Sequence, residues 1–207
     1  MKYKILSLLF LFILITSGNV NGQQQRPNIL FIMADDHCQQ AISSYGSNTI
    51  ETPHIDRLAW EGMRFTNMMV TNSLCAPSRA VLLTGKHSHL NGMKVNRDHF
   101  DGSQQTFPKL LQKAGYETCI IGKWHLKTQP EGFDYYSLLD GQGRYYDCPL
   151  KETGQPWDGK GQVYKGYLTD VITKKSIEWL ETRSEKKPFC LMVHHKAPHG
   201  PHDPAPR

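Results

Sequence analysis

Pro27-Asn28-Ile29-Leu30-Phe31-Ile32-Met33-Ala34-Asp35-Asp36-His37 is the stretch that decides the fold. The apolar run from Ile29 to Met33 has no polar alternation and is short, so it predicts a strand covered on both faces. Such strands lie in sheets with helices on either side, and functional groups gather at their C-terminal ends. Asp35 and Asp36 stand at this one. Two further runs repeat the pattern: Tyr116 to Ile121, ending in Gly122-Lys123-Trp124-His125, and Phe189 to Val193, ending in His194-His195-Lys196-Ala197-Pro198-His199. Helices are predicted between them. One starts at Thr52-Pro53-His54-Ile55-Asp56, one runs from Cys75 to Lys86 with Pro77 in its first turn and Gly85 closing it, one covers Phe107 to Ala114 before Gly115, and one covers Leu168 to Arg183. Met63 to Val70 reads as a short strand, and the Gly-, Tyr- and Asp-rich stretch from Gly132 to Gly161 reads as loops. Strands and helices alternate, which predicts an α/β domain with a largely parallel sheet.

Met1-Lys2-Tyr3-Lys4, the apolar run Ile5 to Ile15 and the small residues before Gln23 predict a signal peptide over residues 1–22 and an exported protein. The run falls short of the ~20 residues that a spanning helix needs, so no membrane anchor is expected. Residues 23–207 are then expected to form one domain. The net charge of +5 is scattered, with no Lys/Arg arm for nucleic acid, and suits an anionic substrate. Five cysteines leave at least one unpaired; their spacing fits no zinc site, and Cys119 and Cys190 read as buried free thiols.

Adjacent carboxylates at Asp35 and Asp36 repel unless a cation lies between them, and a hard ion such as calcium or magnesium suits them better than zinc. The pair also reads as a solvated turn. The richest stretch is Cys75-Ala76-Pro77-Ser78-Arg79-Ala80-Val81-Leu82-Leu83-Thr84-Gly85. It puts a thiol at a helix N-terminus, where free amides and the helix dipole favour an anion, with an arginine one turn on. A sulfate or phosphate group fits such a site; a helix cap beside a lone cysteine is the plainer alternative. Lys123 and His199, taken singly, also read as a surface lysine and a loop histidine.

The pattern C-x-P-S-R followed by Leu83-Thr84-Gly85 closely resembles the signature of the type I, formylglycine-dependent sulfatases. Ala34-Asp35-Asp36, Gly122-Lys123-Trp124-His125-Leu126 and Ala197-Pro198-His199 resemble further motifs of that family, in the same order. The resemblance implies an alkaline-phosphatase-like sandwich, with the central sheet largely parallel and helices on both faces. It implies that Cys75 is oxidised to formylglycine by a formylglycine-generating or anaerobic sulfatase-maturating enzyme, with Pro77 and Arg79 part of the signal read. Asp35, Asp36 and the modified Cys75 would hold one calcium ion. Cys75, Arg79, Lys123, His125 and His199 would form the catalytic set, with Ser78 and Thr84 supporting the turn.

These assignments make chemical sense, because cleavage of a sulfate ester builds negative charge on the leaving oxygen and calls for surrounding cations and a proton donor. A looser resemblance, through Gly132-Phe133-Asp134-Tyr135-Tyr136, Gly141-Gln142-Gly143-Arg144-Tyr145-Tyr146 and His194 to His199, links the chain to bacterial N-acetylglucosamine-6-sulfatases. It implies a sulfated sugar of mucin or glycosaminoglycan as substrate, and export to the periplasm or outside the cell. A phosphate or phosphonate monoesterase of the same superfamily, or an inactive truncated protein that binds anions or glycans, are the alternatives. The family takes two more calcium ligands and another lysine from sequence beyond His199, so the resemblance covers an N-terminal portion. Weak calcium binding and an unpaired sheet edge are expected of that portion alone.

Overall fold

The computed structural model describes residues 26–205, and the expected signal segment, 1–22, lies outside them. Strands β1 (Ile29–Asp35), β2 (Glu117–Gly122), β3 (Tyr135–Leu139), β4 (Pro149–Glu152), β5 (Gln162–Val163) and β6 (Phe189–Pro198) form one sheet in the order β1-β6-β2-β3-β4-β5. The pairs β1/β6, β6/β2 and β2/β3 are parallel, whereas β3/β4 and β4/β5 are antiparallel. The helices are α1 (Pro53–Glu61), α2 (Cys75–Thr84), the single turn α3 (Ser88–Asn91), α4 (Phe107–Lys113) and α5 (Leu168–Thr182).

Alternation along the central strands divides the core into two layers. Ile120 on β2 and Cys190 and Met192 on β6 pack with Ala76, Ala80 and Leu83 of α2. Their neighbours Cys119, Ile121, Leu191 and Val193 point the other way, onto Leu168, Ile172 and Trp179 of α5. Strands β2 and β6 are thus covered on both faces, as expected of α/β sheets.

Three expectations are corrected. On β1, Ile29 and Phe31 pack against the first layer, but Leu30 and Ile32 are 53% and 59% exposed. Strand β1 lies at the sheet's edge, where no described helix covers the α5 face. Met63 to Val70 forms no strand: it pairs with no ladder, and Met63, Phe65, Met68, Met69 and Val70 are exposed. The stretch from 132 to 161 is not all loop, since β3 and β4 lie within it. Their pairing with the sheet, and the burial of Leu138, Leu139 and Leu150, outweigh the turn-rich composition around them.

Strand β2 ends on a close approach that only glycine tolerates. A Cβ at Gly122 would lie 2.0 Å from the His194 carbonyl oxygen, and its φ is +109°. This contact lets the Lys123 amide donate to that same oxygen at 2.7 Å, tying the ends of β2 and β6 together.

Candidate active site

The C-terminal ends of β1, β2 and β6 lie side by side, and α2 begins beside them. Cys75 is the first residue of α2, after an extended Leu74, and Gly85 closes the helix in the left-handed conformation. Arg79, four residues on, projects from the same face one turn below and is 3% exposed. Its Nη1 donates to the Lys123 carbonyl at 2.7 Å and meets His194 Nδ1 at 2.9 Å, while Nη2 lies 3.6 Å from Asp35 Oδ2. Burial pulls the guanidinium below its ordinary range, and Asp35 opposes that pull.

Lys123 has no exposed surface, and its ammonium donates to Asp35 Oδ2 and Gln142 Oε1. Asp35, 6% exposed, therefore faces two cations. Asp36 turns away in the left-handed region (φ 57°), with a largely exposed carboxylate 3.6 Å from His199 Nε2. His125 is also left-handed (φ 57°). Non-glycine residues held this way cost free energy and concentrate at functional sites. His199 Nδ1 donates to the Gly200 carbonyl at 2.6 Å, and the His199 carbonyl accepts from the Tyr145 hydroxyl at 2.6 Å.

All the residues expected at the site are brought to this end of the sheet. Donor atoms of Asp35, Cys75 and His199 lie within 4.8 Å of one another. A cavity of about 300 Å³ opens over Asp35 and Cys75, lined also by Asp36, Ser78 and Arg79 among others. Lys123, His125 and His199 do not line it, and His125 is reached through Gln142, whose Nε2 is 3.4 Å from His125 Nε2. The Asp35-Asp36 pair is not a symmetric clamp, because Asp35 is turned inward to the cations and Asp36 outward to His199.

Two residues were not singled out from sequence. Gln142 links Lys123 to His125, and the buried Lys196 places its Nζ 3.2 Å from the Gly200 carbonyl and 5.0 Å from the Tyr145 ring centre. The one local signal for Gln142 is its position between Gly141 and Gly143, both with positive φ, which present it on a tight turn.

Three histidines at the site are held towards the neutral form. Burial, with the charges of Lys123 and Arg79, brings His125 down to about 4; burial and Arg79 hold His194 well below its ordinary 6.5; burial lowers His195. A histidine whose folded value is depressed binds more protons when unfolded, so stability is fully present above about pH 6.5 and falls as pH drops below it. The buried His194 is expected to contribute to this slope together with His125. Urea midpoints between pH 7.5 and 5 check this, and a flat profile would refute the burial of neutral imidazoles.

No disulfide joins the described cysteines: Cys119, Cys148 and Cys190 are buried free thiols, Cys75 is half-buried and Cys38 is exposed. Burial pushes Cys190 up to about 11 and Cys119 still higher.

Comparison with known proteins shows the family. The sulfatase family model matches residues 27–207. An N-acetylglucosamine-6-O-sulfatase of Bacteroides thetaiotaomicron is 56% identical over 188 residues, which cover 89% of this chain and 33% of that protein. The human N-acetylgalactosamine-6-sulfatase is 31% identical over 217 residues, covering 87% of this chain and 41% of its own length. Among solved structures, a protein in complex with its substrate D-glucosamine-2-N,6-O-disulfate superposes with a TM-score of 0.84 at 56% identity, over 88% of this chain and 37% of that one. A phosphonate monoester hydrolase of Agrobacterium radiobacter shares the fold, at TM-score 0.65 and 22% identity. The chain thus spans about a third to two-fifths of the length of these curated relatives.

Proposed function

The chain belongs to the sulfatase family, and from that premise we propose that its protein hydrolyses a sulfate ester on a sugar of mucin or glycosaminoglycan type, with N-acetylglucosamine-6-sulfate the favoured unit. The observation that carries the reading is the position of Cys75: first residue of a helix, within 4.8 Å of Asp35 and His199, beside two buried cations. The 56% identity to an N-acetylglucosamine-6-O-sulfatase supports the choice of sugar.

Calcium takes six to eight oxygen ligands. The described residues that fit it are the two carboxylates of Asp35 and Asp36, with an oxygen in place of sulfur at position 75 once that residue is oxidised. They make part of a shell, of the right donor chemistry. Formylglycine derived from Cys75 would supply the nucleophile, and calcium would supply positive charge beside it.

The chain's own side chains do the rest. Arg79 and Lys123 are buried, and away from solvent each cation offsets more of the charge that develops during sulfuryl transfer than it would in water. Arg79 also fixes the end of β2 through the Lys123 carbonyl. His199 donates from Nδ1 to Gly200, so Nε2 is the ring nitrogen left to exchange a proton with the leaving oxygen; it bears one only in the imidazolium form, for which Asp36 is the countercharge. Neutral His125, receiving a hydrogen bond at Nε2 from Gln142, carries its proton on Nδ1, a buried atom with no partner among the described residues.

Residues 23–207 form the N-terminal part of the catalytic domain in this reading. The protein is exported after removal of residues 1–22 and meets a maturation enzyme that oxidises Cys75. No described helix is long and apolar enough to cross a membrane.

The test is the mass of the tryptic peptide Phe65 to Arg79. Loss of the elements of hydrogen sulfide and gain of one oxygen at Cys75 is the expected result, together with turnover of a sulfated sugar in preference to the corresponding phosphate. An intact thiol in protein from its natural host, or preference for the phosphate, would defeat the proposal.

A further inference from the structure

Strand β6 ends at Pro198, and residues 199–204 continue past it, carrying His199. Among the described residues, the backbone hydrogen bonds of this stretch are local: the His199 amide donates to the Lys196 carbonyl at 3.0 Å and the Asp203 amide to the Pro201 carbonyl at 3.1 Å. Its backbone is tied to the rest of the fold by side-chain donors, three of them tyrosines. The hydroxyls of Tyr145, Tyr167 and Tyr146 donate to the carbonyls of His199, Asp203 and Pro204 at 2.6, 3.2 and 2.5 Å. We infer that these tyrosines form a clamp that sets the place of His199 beside Cys75, with Tyr145 the positioning residue for its imidazole.

Tyr145 and Tyr146 lie between β3 and β4, and Tyr167 immediately precedes α5. The Leu168 amide donates to the Tyr145 carbonyl at 2.7 Å, and Tyr146 and Tyr167 pair as an isolated antiparallel bridge. The rings are stacked on this base. Those of Tyr145 and Tyr167 are 5.7 Å apart between centres and 10° from parallel, and Tyr146 is tilted against Tyr167 at 5.4 Å. A tyrosine has only two side-chain torsions, so a packed ring presents its hydroxyl at little cost in freedom. Stacking by itself does not require all three hydroxyls to reach one short segment.

At His199 the tethers reach the imidazole itself. Tyr145 holds the carbonyl of His199, and the next carbonyl, of Gly200, accepts from His199 Nδ1 at 2.6 Å and from Lys196 Nζ at 3.2 Å. A carbonyl oxygen has two lone pairs and can take both donors. Lys196 is buried, and its ammonium lies 5.0 Å from the centre of the Tyr145 ring, so ring and lysine brace one another. With both carbonyls held, the ring of His199 is confined to the arrangement that brings its donor atom within 4.8 Å of those of Asp35 and Cys75.

This role deepens the proposed function and rests on it, since positioning matters only where the imidazole exchanges a proton with the leaving oxygen. Tyr145→Phe keeps the stacked ring and removes the tether. In the matured protein it is expected to lower kcat/KM on the sulfated sugar by about tenfold, less than the roughly hundredfold cost of a misplacement of about 1 Å because the other tethers remain. In a His199→Ala background the same change should lower it by no more than about twofold, because no imidazole is left to place. A tyrosine that serves packing alone would cost the same factor in both backgrounds, loss of folded protein included, and that result overturns the inference. His199→Ala by itself is expected to cost about a hundredfold or more. Parent-like activity there defeats the role given to His199 and the inference with it, whereas equal factors beside a large His199→Ala loss defeat the clamp alone.

Hydrogen exchange reads the clamp without turnover. Amides within 199–204 should exchange on the order of tenfold faster in Tyr145→Phe and in Lys196→Met than in the parent, with those of α5 unchanged. Unchanged exchange in 199–204, or an increase shared equally with α5, would overturn the inference whatever the protein hydrolyses.

Discussion

Gly122→Ala is expected to cost about 4 kcal/mol or more of folding stability, enough to unfold a domain of ordinary marginal stability. Two penalties combine at this position. The φ of +109° strains any residue with a Cβ, and the Cβ itself would meet the His194 carbonyl oxygen at 2.0 Å. Relief would require β2 and β6 to separate where Lys123 hydrogen-bonds to that oxygen, which would also move the Arg79 contact with the Lys123 carbonyl. Gly46→Ala is the control. Its φ is +93°, yet nothing lies within 4 Å of the added carbon, so it should lose only the ~1 to 2 kcal/mol of left-handed strain. Denaturant titration of both variants decides the matter: if Gly122→Ala is no less stable than Gly46→Ala, the strand ends do not approach as described.

Much of this fold is legible along the chain because the signals are local. The N-terminus of α2 and its stop at Gly85 follow from Pro77 and the glycine, and α5 follows from the spacing of Val171, Ile172 and Leu180. Runs without polar alternation locate β2 and β6, the strands that are covered on both faces. The same pattern misleads at β1, because it reports that a strand is apolar and not how many helices reach it. The exposed Leu30 and Ile32 have the composition of a core without its position. Met63 to Val70 shows the converse, strand-like residues with no strand to pair with.

The site divides in the same way. Three of its groups end strands and one begins a helix, so their convergence follows from topology alone. What is not legible is who pairs with whom. Asp35 and Asp36 are neighbours in sequence, yet one is drawn to Lys123 and Arg79 and the other to His199. Gln142 joins two of the predicted residues from a turn that carries no chemical motif, and only the packed structure puts its amide between them.

Lys123→Met is expected to lower kcat/KM of the matured protein by about a thousandfold, near the upper range for losing one group that stabilises developing charge in a dry site. The ammonium has no exposed surface, so water cannot replace it in the parent geometry. Stability should fall as well, because Asp35 would keep only Arg79, at 3.6 Å, as a buried counter-ion. Removing one partner of a buried pair costs about 3 to 5 kcal/mol, and the remaining arginine should hold the loss at or below the lower end. A methionine fills the volume without the charge, which keeps cavity formation out of the comparison. Denaturant titration of Lys123→Met gives the folded fraction to which its kcat/KM is referred, which separates structure from catalysis. If kcat/KM for Lys123→Met stays within tenfold of the parent, Lys123 serves only to neutralise Asp35. If kcat/KM per folded molecule equals the parent's, the loss was one of folding, and the positive charge for the reaction must come from Arg79 alone.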